Sequence, residues 1–499
     1  MRLSDLLDDL SVLDLVAGPA DGEVLDIVAD HRSVRPGSMF ACVRGHNFDG
    51  HRVAVEAVAA GAVAVLSEEP LSLPAGVAQI VVADVRTSIG PIADRLASAP
   101  SSKLRIVGIT GTNGKTTVAH LVESIATRAG GAPAVLGTLG ARWGGKVVAT
   151  GFTTPEAPEL QRLFASMVDD GVDIVAMEVS SHALAMHRVD GTRFGVVGFT
   201  NLTAEHLDLH GSLDAYFAAK ARLFTTEFAE RAVIAIDDEW GVALVARARA
   251  AGVDVTTVST STERRIDGVA ADIAASEVAI AGDGSTFLIE DRRRGSARRV
   301  SIGLLGRYNI ANALVADALC AELGISSEAR TDGLAHAARV PGRLEPVANT
   351  RGLTVLVDYA HTPDALATVL ANLRELAAPP ARLIAVYGCG GDRDRTKRGP
   401  MGRAVAQHAD VALLTTDNPR SEAPEAIIAE VIAGLAPADR RPRVVVDRAA
   451  AIAEAIGEAR AGDVVAILGK GHETGQSIAG TTYPFDDREV AREALGMTS

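Results

Sequence analysis

Residues 108–117 read Gly-Ile-Thr-Gly-Thr-Asn-Gly-Lys-Thr-Thr, and no other stretch of the chain constrains its fold as tightly. An apolar run, 104–109, precedes it, and a helical pattern, 118–129, follows it. Strand, glycine turn and helix in that order are what a phosphate-binding loop requires. Backbone N–H groups from Gly111, Thr112, Asn113, Gly114 and Thr117 can then surround phosphate oxygens, and the helix N-terminus adds positive potential. Lys115 is expected to reach the terminal phosphates, and the hydroxyl of Thr116 to ligate Mg²⁺. The common form of this loop, G-x-x-x-x-G-K-[ST], asks for glycine at position 109, where this chain carries Ile109.

A chain of 499 residues exceeds one compact core, so two to four domains are expected. Its apolar residues are mostly Ala, Val, Leu and Ile, which suits helices packed on parallel sheets. A net charge of −14 argues against a general nucleic-acid binder or a protein held on anionic membranes, while leaving room for a local anion site. Cys42, Cys320 and Cys389 are too far apart for a disulfide framework or a zinc site, which suits a reducing compartment. Residues 1–15 carry several aspartates and no basic segment, and no apolar run reaches membrane-spanning length. A soluble cytoplasmic protein is the expectation.

Short apolar runs at 24–28, 39–43, 62–66 and 80–82 alternate with helical patterns at 51–60 and 88–98, giving a first domain over 1–100 with a linker near 99–103. A central domain, 101–342, starts at the phosphate loop and has strands near 174–178, 196–200 and 232–236 in a parallel α/β sheet. Residues 253–304 suggest a small antiparallel flap, and a helix over 309–323 and Pro341-Gly342 close the unit. The third domain, 343–499, alternates strands (353–357, 383–386, 411–414, 444–446 and 464–468) with helices, the doubly wound, Rossmann-like pattern. The fold class is therefore α/β with three domains. Polar, glycine-rich turns follow four strands of the third domain: Asp358-Tyr-Ala-His361, Gly388-Cys-Gly-Gly-Asp-Arg-Asp394, Asp417-Asn-Pro-Arg420 and Gly469-Lys-Gly-His-Glu473. Such sheets bind ligands at the carboxyl ends of their strands, so a site is expected there.

In the central domain, Glu178 ends an apolar strand beside the loop, where a carboxylate can hold Mg²⁺ directly or through water. His206, Asp208 and His210, just past another strand, are candidates for metal or phosphate ligands. By pattern alone Lys220 is a solvated lysine on an amphipathic helix.

Together these segments resemble the Mur ligases, ATP-dependent amide-forming enzymes of bacterial cell-wall synthesis. The match rests on Gly111-Thr-Asn-Gly-Lys-Thr-Thr117, Glu178-Val-Ser-Ser-His182, Asn201 to His210, Tyr308-Asn-Ile-Ala-Asn312, Pro341-Gly-Arg-Leu-Glu345 and Asp358-Tyr-Ala-His-Thr-Pro363, in order along nearly the whole chain. The resemblance implies a first domain that binds the UDP part of UDP-N-acetylmuramoyl-L-alanyl-D-glutamate through Ser33, His46 and Asn47, with Thr153, Thr154, Ser180 and Arg188 on the sugar-peptide portion. It implies MgATP in the central domain, with Lys115, Thr116 and Glu178 in the phosphate and metal roles and His206 helping to hold a second Mg²⁺. Asn309, Asp358 and His361 would contact adenosine, and Arg343 the phosphates. Lys220 falls where the family carries a carbamylated lysine, a carboxylate-like group able to bind Mg²⁺.

The incoming amino acid is read from the third domain. Arg420 offers a planar fork suited to a carboxylate, which L-lysine lacks at the far end of its side chain. The expectation is meso-2,6-diaminopimelate, held by Arg393, Asp417, Asn418, Arg420, Gly469 and Glu473, the last pairing with the ammonium beside the distal carboxylate. A monomer is expected. The alternatives are a lysine- or ornithine-adding relative, folylpolyglutamate synthase, and a non-catalytic nucleotide-binding protein.

Overall fold

The computed structural model describes residues 1–7, 12–17, 22–45, 48–261, 265–281, 284–377 and 379–497. They build three principal sheets in chain order. The first, five-stranded, runs Val12–Ala17, Ala78–Val82, Ala64–Ser67, Ser38–Ala41, Asp26–Val28. All its pairs are parallel except the first, in which Val12–Ala17 lies antiparallel to Ala78–Val82. Neither Val12–Ala17 nor the opening helix Leu3–Leu7 is expected from the sequence, because an acid-rich segment hides their apolar residues.

The central sheet is larger than expected, with eleven strands. Its parallel core runs Asp254–Ser259, Arg231–Ala235, Val196–Phe199, Arg105–Thr110, Ile174–Glu178, Pro133–Gly137. Further strands extend it on both sides, all paired antiparallel except Ile273–Ala281, which lies parallel to Asp254–Ser259. Gly140–Trp143 and Lys146–Val148 follow Pro133–Gly137, and Ile273–Ala281, Gly284–Asp291 and Ser296–Ile302 continue past Asp254–Ser259. The expected flap is thus part of the sheet. Helices cover both faces, Lys115–Arg128, Arg307–Glu322 and Ser327–Ala335 on one, Ala157–Asp169, Leu213–Ala221 and Glu239–Ala250 on the other. Burial on both faces explains why strands such as Ile174–Glu178 are apolar throughout instead of alternating.

The third sheet orders Glu345–Val347, Thr354–Asp358, Val464–Leu468, Leu383–Tyr387, Val411–Leu414, Arg443–Val444, all parallel except the first pair. The helix Pro363–Leu376 starts where Thr362 caps it and Pro363 supplies a preset φ. Pro341-Gly342 joins this unit to the central one, and the join is close-packed: a Cβ on Gly342 would lie 2.1 Å from the amide nitrogen of His472. The three cysteines are buried and free. Among the described residues no helix is long and apolar enough to cross a membrane.

Candidate active site

Ile109 lies fully buried inside Arg105–Thr110, where its carbonyl accepts from the amide of Val179 at 2.8 Å. The chain turns only beyond Thr110, so position 109 needs a strand residue. Glycine is required instead at 114, where φ is +91° and a Cβ would meet Asn312 Oδ1 at 2.3 Å. Asn201 braces the loop, its carbonyl accepting from the amide of Thr112 (2.8 Å) and its Oδ1 from the amide of Asn113 (3.0 Å). These two N–H groups, expected to face phosphate, are therefore engaged within the protein. Among the amides left for an anion are those of the first helical turn, Lys115, Thr116 and Thr117, which have no intrahelical acceptor.

Lys115 Nζ donates to the carbonyls of Gly111 (2.9 Å) and Thr112 (2.8 Å), folded back on its own loop. Burial lowers its pKa, against the pull of Glu178 and Glu205. Glu178 is 1% exposed at the strand tip, where its carboxylate accepts from the amide of Thr138 (2.9 Å) and from its hydroxyl (3.2 Å). Gly137 makes room for it: a Cβ there would lie 2.1 Å from Glu178 Oε1.

Lys220 departs furthest from the solvated lysine that its helix pattern suggests. It is 1% exposed, donates to the same Gly111 carbonyl at 2.8 Å, and sits 4.5 Å over the ring of Tyr216. Burial first, then the like charge of Lys115, holds its pKa well below the ordinary lysine value, with Glu205 opposing. Tyr216 in turn lies within 3.2 Å of Thr112 Oγ1. His206 packs edge-on against His182 at 4.6 Å and approaches Glu205 at 3.8 Å. Glu205 is also 4.0 Å from His361 of the C-terminal unit, so it spans the junction of the two units. His210 Nε2 reaches Ser181 Oγ at 3.1 Å, and Asp208 has no described side chain.

Among the described residues no group of three or more His, Cys, Asp or Glu side chains converges to hold a metal. The donors fit Mg²⁺ shared with a nucleotide: one carboxylate, Glu178, beside a threonine at a helix N-terminus is the sparse protein contribution that phosphate-bound Mg²⁺ takes.

Of the residues expected at adenosine, Asn309 donates to the Leu305 carbonyl (2.8 Å) and accepts from Asn312 (3.0 Å), so it acts through Asn312 on the loop. The carboxylate of Asp358 accepts from the amides of Leu344 (2.7 Å) and Ala360 (2.8 Å), fixing the strand entry, and burial raises its pKa. Arg343 stacks on Tyr359 at 4.8 Å, and His361 Nδ1 reaches the Tyr359 carbonyl at 2.7 Å.

The expected amino-acid residues converge at one edge of the third sheet. Arg420, at φ +53°, donates to the Gly391 carbonyl at 2.6 Å. Its amide donates to the Ser477 carbonyl, and Ala479 donates back, so the hairpin 475–484 fixes the strained residue. Gly469 allows the close approach of Asp417, and Arg393 is exposed on the neighbouring loop. Asn418 and Glu473 are bonded at 2.8 Å, and fully buried Lys470 contacts both. Arg398, 1% exposed, clamps Glu422 and Glu430 and so ties the 391–394 loop to Asp417–Arg420.

A cavity of about 490 Å³ lies between the first and central units, lined by Ser33, Phe48, Glu156, Met186, His187 and Arg188 among others. Arg188 pairs with Glu156 at 2.8 Å and stacks on Phe152 at 4.2 Å. Thr153, Thr154 and Ser180, expected beside it, are not among its lining residues, although Arg188 donates to the Thr154 carbonyl at 3.2 Å. Thr154 Oγ1 donates to the Glu178 carbonyl (2.9 Å), Ser180 caps a helix, and Thr153 touches Thr138 at 3.4 Å. His46 and Asn47 lie outside the described residues.

Family models match all three units: "Mur ligase family, catalytic domain" over 26–96, "Mur ligase middle domain" over 109–320, and "Mur ligase, glutamate ligase domain" over 342–471. Curated proteins from Streptomyces coelicolor and Syntrophomonas wolfei, both named UDP-N-acetylmuramoyl-L-alanyl-D-glutamate--2,6-diaminopimelate ligase, are 43% and 40% identical to it. They align over 99% of this chain and over 96% and 99% of their own. The chain belongs to the Mur ligase family. A solved structure of a ligase with the same name shares the fold at a TM-score of 0.73 and 32% identity, over 99% of both chains.

Within this Mur ligase, sequence reading passed over Asn312, Glu205, Tyr216, Lys470 and Arg398. Asn312 and Lys470 stand inside segments that were legible as motifs. Arg398 had no local signal, since its partners lie 24 and 32 residues away.

Proposed function

We propose that this chain is the ATP-dependent ligase that joins meso-2,6-diaminopimelate to the glutamyl carboxylate of UDP-N-acetylmuramoyl-L-alanyl-D-glutamate, in peptidoglycan precursor synthesis in the cytoplasm. The observation that carries the reading is the edge of the third sheet, where one turn, Asp417–Arg420, supplies both the Arg420 guanidinium, held on the Gly391 carbonyl, and the Asn418 amide, bonded to the carboxylate of Glu473. A donor fork and an acceptor carboxylate gathered at one sheet edge suit a ligand end bearing both a carboxylate and an ammonium, and L-lysine has only the second.

The first unit and the 490 Å³ cavity take the UDP-sugar, with Ser33 and Arg188 at its wall. The peptide then runs past Thr153, Thr154 and Ser180 toward Glu178. ATP lies on the first turn of Lys115–Arg128, with Lys115 exchanging loop carbonyls for phosphate oxygens. Thr116, Glu178, His206 and carbamylated Lys220 would hold Mg²⁺, which offsets charge on the phosphates and the incoming carboxylate.

A carboxylate is a poor acyl donor. Its oxygen attacks the γ-phosphorus of ATP, the bond to the bridging oxygen breaks, and ADP leaves, giving an acyl phosphate. The neutral amine of diaminopimelate attacks the acyl carbon, loses a proton and expels phosphate. Donors fixed before the reaction stabilise the developing charge without reorganising. Closure of the C-terminal unit over the loop, with His361 meeting Glu205, excludes water from the acyl phosphate.

Phosphate release tests the reading. It is expected only when ATP, UDP-N-acetylmuramoyl-L-alanyl-D-glutamate and meso-diaminopimelate are all present. Release with L-lysine in place of diaminopimelate would keep the ligase and overturn the role of Arg420. No release with any amino acid would favour a nucleotide-binding protein without this chemistry.

A further inference from the structure

Lys470 is a cation of the C-terminal unit with no exposed surface, at 0%. An ammonium has three N–H donors. Here all three are used: on Asn418 Oδ1 (3.1 Å), on Glu473 Oε2 (2.9 Å) and on the carbonyl of Gly475 (2.6 Å). It therefore has none left for a ligand. Its effect falls on the two side chains it touches.

Asn418 Oδ1 faces two obligate donors, Lys470 Nζ and the amide of Ser477 at 3.0 Å. Its Nδ2 faces an obligate acceptor, Glu473 Oε2, at 2.8 Å. Flipping the amide would oppose donor to donor and acceptor to acceptor, so its orientation is fixed. One N–H of Nδ2 remains to be offered outward. Glu473 Oε2 is taken twice, and Oε1 remains as an acceptor with no hydrogen-bond partner among the described residues.

We propose that Lys470 is a positioning residue that sets the polarity of the amino-acid pocket: it turns Asn418 into a donor for a carboxylate and leaves Glu473 Oε1 as the acceptor for an adjacent ammonium. The inference rests on the proposed diaminopimelate reading and deepens it. Selectivity for a zwitterionic end then depends on a lysine that never touches the ligand. Without it Asn418 Oδ1 keeps only the Ser477 amide and Glu473 loses its cation partner, so the Asn418 amide turns its oxygen to a carboxylate more readily and Glu473 can turn away from the pocket.

The test is Lys470→Met, assayed beside wild type by phosphate release with each substrate varied in turn, with thermal unfolding recorded. The expected result is a KM for diaminopimelate raised at least tenfold, KM values for ATP and the UDP-substrate within twofold, and a reduced preference for diaminopimelate over L-lysine. A folded variant with an unchanged diaminopimelate KM, or with every parameter lowered alike, would overturn the proposal. If Lys470→Met strands the Glu473 charge and does not fold, Lys470→Met/Glu473→Gln is compared with Glu473→Gln alone. A diaminopimelate KM several-fold higher in the double variant supports action through Asn418, and equal values refute it. Wild type that fails to use diaminopimelate would instead remove the functional reading itself.

Discussion

Replacing Gly137 by alanine should disable this enzyme while leaving it folded. The added methyl would lie 2.1 Å from Glu178 Oε1, 2.6 Å from Cδ and 2.7 Å from Cγ, and all three atoms belong to the glutamate side chain. No backbone atom is among these nearest neighbours, so the strands Pro133–Gly137 and Ile174–Glu178 can keep their register while the carboxylate moves. It must retreat by roughly 1 Å, and a displacement of that size at a reacting centre costs about 10²-fold in rate. The retreat also loosens the two bonds from Thr138 to a buried carboxylate, so stability should fall by about 1–3 kcal/mol. The assay is kcat from phosphate release at saturating substrates, with denaturant unfolding in parallel. Wild-type kcat in a folded Gly137→Ala protein would show that the Glu178 carboxylate need not stand where it does, and the metal-site reading would fail with it.

Arg420→Ala should weaken diaminopimelate binding by about 2–5 kcal/mol, by leaving a desolvated carboxylate unpaired, and calorimetric titration that finds unchanged affinity would rule out its proposed role. Burial lowers the pKa of Lys220, so its neutral amine, the form that attacks CO₂, persists at lower pH than in an ordinary lysine and is lost as pH falls through the lowered value. A carbamate resonance should therefore appear on adding ¹³C-bicarbonate near neutrality, vanish on acidification, and be absent from Lys220→Ala. Arg448 and Asp487 form a bidentate ion pair with both partners at 0% exposure, so Arg448→Met should cost about 3–5 kcal/mol in urea unfolding. Adding Asp487→Leu should recover most of that loss, and a single variant as stable as wild type would contradict it.

Periodicity and turn chemistry made the three-unit α/β plan legible, because strands buried on both faces read as unbroken apolar runs. Val12–Ala17 and the Gly140–Trp143 and Lys146–Val148 pair escaped, being short edge elements whose pairing depends on distant partners. The loop motif located Lys115 and Thr116, yet not that Asn201 takes up the amides of Thr112 and Asn113, a contact across some ninety residues. Lys220 shows the limit most plainly. Its helix reads as amphipathic and solvated, and only the packing of that helix under the loop makes it a buried amine over Tyr216. Lys470 was visible as a letter in a motif, but its three acceptors come together only in the fold.

The central claim is that this Mur ligase adds diaminopimelate because its pocket reads a distal carboxylate. Mass spectrometry of the product from an equimolar mixture of meso-diaminopimelate and L-lysine, with ATP and UDP-N-acetylmuramoyl-L-alanyl-D-glutamate, tests it directly. The account predicts that the diaminopimelate adduct dominates with wild type and that its share drops with Arg420→Ala. A lysine adduct from wild type, or a product ratio indifferent to Arg420, would contradict it.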